Sequence, residues 1–227
     1  MDTILLGWPW LTIPLAVVLL AVLWRASGPD RWREPGFVLG LLWPAYLLHQ
    51  FEEHGVDALG RRYAFLGDMC RTLGHDTLAT CPADAAFVFV VNVVACQFIF
   101  ASTFGWRTRA PTLAAFGWSV PLVNGLAHVA GAIKNGAYNP GLATSVLLFL
   151  PLGVVMLRAS LRAGVLRGRE VPMVFGAGVV LHAVLLGSVL LRGAGAIGQA
   201  AFLAINALNG LVPLGAGQLA LRLRPRA

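Results

Sequence analysis

Six consecutive residues, His49-Gln50-Phe51-Glu52-Glu53-His54, form the densest group of chemically capable side chains in this 227-residue sequence. Positions i, i+3 and i+4 of a helix share a face, so His49, Glu52 and Glu53 are expected to project together. One imidazole and two carboxylates can ligate a first-row metal, or divide into a general acid and a general base. A second polar line starts at Asn124 and His128, four apart. It continues through Lys134, Asn135, Tyr138-Asn139-Pro140-Gly141 and Thr144. His182 stands alone in a later apolar run, and Asn92, Asn206 and Asn209 sit in others. Spacing alone also allows blander roles. The glutamates could mark a helix end in the headgroup region, Asn124 and His128 an interhelical hydrogen-bond pair, and His182 a satisfied core histidine.

The elements that hold these residues follow from composition. The chain is 58% hydrophobic and 12% charged, about half the charged share of a soluble domain. Its mean hydropathy is +0.75. Too few polar side chains exist to cover a water-facing surface, so the expected fold is an all-α, polytopic transmembrane bundle in a single domain, residues 1–227. Apolar runs at Ile4–Trp24, Gly36–His54, Asp84–Phe104, Pro111–Ile133, Gly141–Ser160, Val171–Leu191 and Ile197–Leu221 predict about seven spanning helices. The first lacks a basic leader and a small-residue cleavage site, and is read as a retained helix. Pro44 and Pro213 lie inside their runs and predict kinks.

Net charge is +7, but the arginines fall in short clusters between apolar runs, which argues against a nucleic-acid partner. With the N-terminus outside, the inner loops hold twelve basic residues (Arg25, 31, 33, 107, 109, 158, 162, 167, 169, 222, 224 and 226). The outer loops hold five: Arg61, Arg62, Arg71, Lys134 and Arg192. The positive-inside bias therefore predicts N-outside and C-inside, and one lysine against sixteen arginines, with much Ala, Gly and Leu, suggests a bacterial source and hence a bacterial cytoplasmic membrane. The long loop at about 55–83 faces outward, where Cys70 and Cys81 are able to pair. In this frame the Glu, His and Asn residues gather in the outer half of the bundle. Ionisable groups there cost about 2.5–3.5 kcal/mol on insertion scales and face a bundle interior or a site.

His49-Gln50-Phe51-Glu52-Glu53 resembles the signature of the HXXEE-domain proteins, bacterial membrane proteins named for that motif. The stretch Asn124…His128…Tyr138-Asn139-Pro140-Gly141…Thr144 resembles that family's second block. The resemblance covers helices two to five. It implies that His49, Glu52, Glu53 and His128 matter, and it supplies no reaction.

The chemistry expected is that of a membrane enzyme acting on a lipid or other apolar small molecule. Glu52 and Glu53 are the candidate catalytic groups. His49, Glu52, Glu53, His128 and His182 are the candidate ligands for zinc or iron. Asn124, Tyr138, Asn139, Asn92 and Asn206 are candidates for supporting the ligands or binding substrate. A bound metal would activate water for hydrolysis, with the free glutamate as base, or support oxygen chemistry; two carboxylates with several histidines could also hold a di-iron pair. The alternatives are a metal-free acid–base isomerase or cyclase, with Trp43, Tyr46, Phe51 and Trp118 lining its pocket, and a proton-coupled transporter. Confinement of polar groups to one leaflet and the lack of an internal repeat count against transport.

Overall fold

A computed structural model describes residues 7–225, and it is all-helical. The expected start of the first run at Ile4 and the basic residue Arg226 lie outside the described residues. In chain order the helices are α1 (Pro9–Arg25), α2 (Pro35–Gly40), α3 (Leu42–His54), α4 (Ala64–Thr72), α5 (Ala85–Trp106), α6 (Pro111–Asn135), α7 (Leu142–Arg162), α8 (Gly168–Gly193), α9 (Gln199–Asn209) and α10 (Val212–Arg222). Four of them, α5 to α8, are long and apolar enough to cross a membrane. The pair α9 and α10, bent by 40°, is a fifth candidate. The shorter α1 is apolar but has 17 residues.

Proline sets the breaks. Pro44, Pro121 and Pro213 lack the N–H that would bond the carbonyl four residues earlier, and their rings crowd it. The helix is interrupted at Leu41, at Trp118 and between Asn209 and Val212, each one to three residues upstream of the proline. Two further irregularities are π-helical turns, Val90–Ala95 in α5 and Ser145–Phe149 in α7. Such turns insert a residue into the helix and are frequent at functional sites.

Large apolar side chains fill the interior, among them Phe100, Phe116, Trp118, Phe149 and Met156. A smaller cluster of Trp8, Phe87, Val189 and Phe202 packs at the end of the bundle that carries the 55–83 loop. The outer surface is apolar too: Leu11, Val17, Val18 and Trp24 of α1 are exposed, as are Leu147 of α7 and Leu190 of α8. Exposed apolar side chains this dense suit contact with lipid.

Residues 55–83 fold over one end of the bundle. A bridge between Val56 and Arg62 closes a tight turn, and Asp57 accepts hydrogen bonds from the backbone N–H groups of Leu59 and Arg61. Helix α4 follows, held by the Cys70–Cys81 disulfide and by ion pairs of Asp68 with Arg61 and Arg71. At the other end Glu170 pairs with Arg224 (2.7 Å), tying the foot of α8 to the segment after α10.

Candidate metal centre

The segment His49–His54 ends α3 and is buried throughout its polar positions: His49, Gln50, Glu52, Glu53 and His54 are all sequestered from solvent. Adjacent helical residues point about 100° apart, and the two glutamates take different partners. Glu53 faces the bundle interior. Its Oε1 lies 3.0 Å from His128 Nε2 of α6, and its Oε2 lies 3.4 Å from His49 Nε2, one turn back on α3. Gln50 Nε2 donates to Oε2 at 3.1 Å. Among the described residues, this is the set of three potential ligands, His49, Glu53 and His128, whose ligand atoms lie within 4.8 Å of one another.

Glu52 turns the other way, into the start of α7. Its Oε1 accepts hydrogen bonds from Tyr138 Oη (2.7 Å) and Ala143 N (2.9 Å). Its Oε2 accepts from Thr144 N (2.7 Å) and from the Thr144 hydroxyl. The first N–H groups of a helix have no internal partner, and the helix dipole favours an anion there. Glu52 therefore caps α7 from a different helix. Tyr138 Oη accepts in turn from Ala58 N at 3.1 Å, joining the 55–62 turn to the same carboxylate. Burial and the hydrogen bond to Glu52 push the Tyr138 phenol above its ordinary pKa, so it keeps the proton it donates. With four donors on it, Glu52 stands apart from the cluster expected to include it.

The surrounding hydrogen bonds assign the imidazole tautomers. Thr144 gives its hydroxyl proton to Glu52, so it accepts from His49 Nδ1 at 2.8 Å. Asn139 donates its amide N–H to the His128 carbonyl (3.0 Å), which leaves its oxygen to accept from His128 Nδ1 at 2.6 Å. Both rings thus carry a proton on Nδ1 and turn Nε2 toward Glu53, with His128 Nε2 at hydrogen-bond distance from the carboxylate. His49 Nε2 has no hydrogen-bond partner. Tyr46 donates to Asn92 Oδ1 (2.7 Å), and Asn92 Nδ2 donates to His54 Nε2 (3.1 Å). His54 Nε2 lies 3.4 Å from Glu53 Oε2 with that lone pair already engaged.

Two imidazole nitrogens and a buried carboxylate that converge on one point need a proton or a cation between them. No Arg or Lys pairs with Glu53 among the described residues. For ligand bonds of about 2.0–2.2 Å in a tetrahedral shell, neighbouring ligand atoms stand roughly 3.3–3.6 Å apart. The His49–Glu53 separation matches this, and the His128–Glu53 separation is a few tenths of an ångström short. The outer hydrogen bonds, His49 to Thr144 to Glu52 and His128 to Asn139, are the kind that fix the orientation of metal-bound imidazoles.

Gly141 makes the close packing possible. Its φ is +94°, and a Cβ there would stand 2.7 Å from both His128 Cε1 and His49 Cε1 and 2.9 Å from Glu53 Cγ. Only glycine fits both the conformation and the space.

A cavity of about 370 Å³ adjoins the cluster, with Glu53 and His128 in its wall. Asn92, Asn124, Asn139 and His182 supply further polar groups, and Phe65, Met69, Phe87, Val91, Leu185 and Leu186 supply an apolar lining. His182 Nδ1 donates to Gly178 O at 2.8 Å; His182 lines the cavity and is not in the three-residue ligand group. Asn124 Oδ1 is buried without a partner. Asn206 lies elsewhere: its amide donates to Ser188 Oγ and Phe202 O, fastening α9 to α8. The aromatic residues expected to line a pocket do not line this cavity. Trp43 bonds Gln97, Trp118 bonds Leu39 O, Tyr46 bonds Asn92 and Phe51 packs on Trp10.

Fold and site together define a helical protein with four to five apolar helices able to cross a membrane and a buried His/Glu cluster at the end of one of its helices. The chain belongs to the HXXEE family, described as "Protein of unknown function with HXXEE motif", which it matches over residues 40–156. That span runs from the α2–α3 break into α7 and includes every residue of the His49, Glu53, His128 cluster and its Glu52, Asn139 and Thr144 supports. No curated protein and no solved structure matches the chain.

Proposed function

We propose that this protein is a membrane-embedded metalloenzyme that binds one zinc or iron ion through His49, Glu53 and His128 and acts on a lipid-soluble substrate held in the adjoining cavity. The observation that carries the reading is the convergence of His49 Nε2, His128 Nε2 and a buried carboxylate on one point, with both imidazoles held from behind through Nδ1. Two histidines and one carboxylate with an open position is a ligand set of catalytic zinc and of non-haem iron. With Glu52 committed to the α7 cap, one carboxylate remains for the metal, which favours a mononuclear centre over a di-iron pair. The metal would supply Lewis acidity or oxygen activation. His182, on the cavity wall, would move the proton in place of the glutamate base expected from sequence.

The same reading places seven spans in the membrane: α1, α2 with α3, α5, α6, α7, α8, and α9 with α10. The 55–83 loop then lies outside the cytoplasm, in keeping with the arginine distribution and with a disulfide in that loop.

The test is metal content of detergent-purified protein, prepared without chelators, by plasma mass spectrometry. Wild type is expected to hold close to one zinc or iron per chain, and His49→Ala and His128→Ala close to none. His182→Ala is expected to keep the metal. Folded wild type without metal sinks the metalloenzyme reading. The same three groups sharing a proton would then support acid–base chemistry.

A further inference from the structure

Helices α6 and α8 are in close contact where Gly178 meets the backbone of Ser119 and the side chain of Val123; a Cβ at 178 would overlap both. Farther toward the 55–83 end the cavity lies between them. Asn124, Ala127, His128 and Gly131 on α6 face His182, Leu185 and Leu186 on α8 across the cavity. Ala127 and Leu186 in this lining are exposed, which gives the cavity an apolar opening at the α6–α8 cleft.

A second cavity of about 300 Å³ adjoins the first. It is lined by Asp68, Arg71, Thr72, Asn135, Ala137, Tyr138 and Asn139, so apart from Ala137 its walls are polar side chains. Asp68, Thr72, Asn135 and Asn139 line both cavities, so the two are neighbours. Asn139 is also the residue that holds His128. The cluster thus sits near the boundary between an apolar chamber and a polar vestibule. Helix α4 covers that boundary, with Phe65, Met69 and Leu73 on the apolar chamber.

We infer that the site binds a single-chain amphiphile. Its acyl chain lies in the α6–α8 cleft, its polar head lies in the vestibule beside Arg71 and Asp68, and its head–chain junction lies against Glu53 and His128. The apolar chamber is at the small end of the roughly 300–1,000 Å³ range of ligand sites, which suits one chain and not two. The side opening lets the chain enter from the bilayer. The polar walls of the vestibule match a head that stays hydrated. The reaction assigned to this substrate rests on the metalloenzyme reading; the binding does not.

The experiment uses the full chain in nanodiscs and a lysophosphatidylcholine with a diazirine at mid-chain. Irradiation is expected to label α6 and α8 around Ala127, Gly131, Leu185 and Leu186, and excess unlabelled lysophosphatidylcholine is expected to suppress it. Ala127→Phe, which fills the cleft, should cut that labelling at least tenfold while metal content stays at the wild-type level. Leu186→Trp should do the same from the opposite wall. Label spread over the lipid-facing sides of α1 and α7, with neither competition nor sensitivity to the two variants, overturns the proposal. Site-specific labelling of metal-free protein would uphold the amphiphile site and remove the metal centre. Bound metal without site-specific labelling would do the reverse.

Discussion

Replacing Glu53 by Gln takes the only carboxylate from the ligand group and is expected to abolish stoichiometric metal binding. Replacing Glu52 by Gln acts through Thr144. The amide can still accept on one side, but its NH₂ opposes donors of the α7 start, so His49 loses its fixed tautomer. The expected loss is about 10–100-fold in metal affinity, the usual effect of removing an outer hydrogen bond, measured by chelator competition. Equal behaviour of the two variants would contradict the separation of roles. How far the site was legible follows from the same pair. Helical spacing brings His49 and Glu53 together, and an i, i+4 pair is what the structure contains. It also grouped Glu52 with them, because spacing carries no information on which tertiary partner a side chain meets. His128, Asn139 and Tyr138 were recognisable as polar residues in one stretch. The part played by Gly141 was not, since it depends on three side chains from two other helices crowding one hydrogen.

Helix α4 covers the vestibule as a nine-residue amphipathic segment, too short to persist alone. Its disulfide closes a loop across eleven positions, a constraint worth about 3 kcal/mol for loops near this size. The double variant Cys70→Ser, Cys81→Ser is therefore expected to raise amide exchange in residues 64–72 by an order of magnitude or more and leave α5 to α8 protected. Unchanged exchange in α4 would show that Asp57, Asp68 and Arg61 suffice to hold it. At this scale the sequence was read well where proline decides the outcome: kinks expected at Pro44 and Pro213 occur as helix breaks just upstream. Pro121 produces the same break and was overlooked within a long apolar run. The π-helical turn at 90–95 has no proline beside it, whereas the turn at 145–149 lies just upstream of Pro151, a mark of the same kind that was also overlooked.

For the molecule as a whole, the proposed seven-span topology would put the basic segment after α10 in the cytoplasm. A thiol reagent that cannot cross membranes, added to intact cells after mild external reduction, should label Cys70 and Cys81. A fluorescent protein fused after residue 227 should fold and fluoresce on the cytoplasmic side. Labelling that requires lysed cells would reverse the orientation. The Glu52 cap bears on how such a bundle is made. Segments leave the ribosome in order, so in the proposed topology α3 would enter the bilayer long before α7 exists, and α7 would arrive with the N–H groups of its first turn unclaimed. Until the two helices meet, one has a bare anion and the other a bare set of donors, both in a poorly hydrated setting. Their docking is thus a late assembly step with its own driving force. A half-inserted chain lacks it, and that chain also lacks the rigid His49 that the proposed metal would need, so metal loading, on that proposal, would mark chains that have finished assembling.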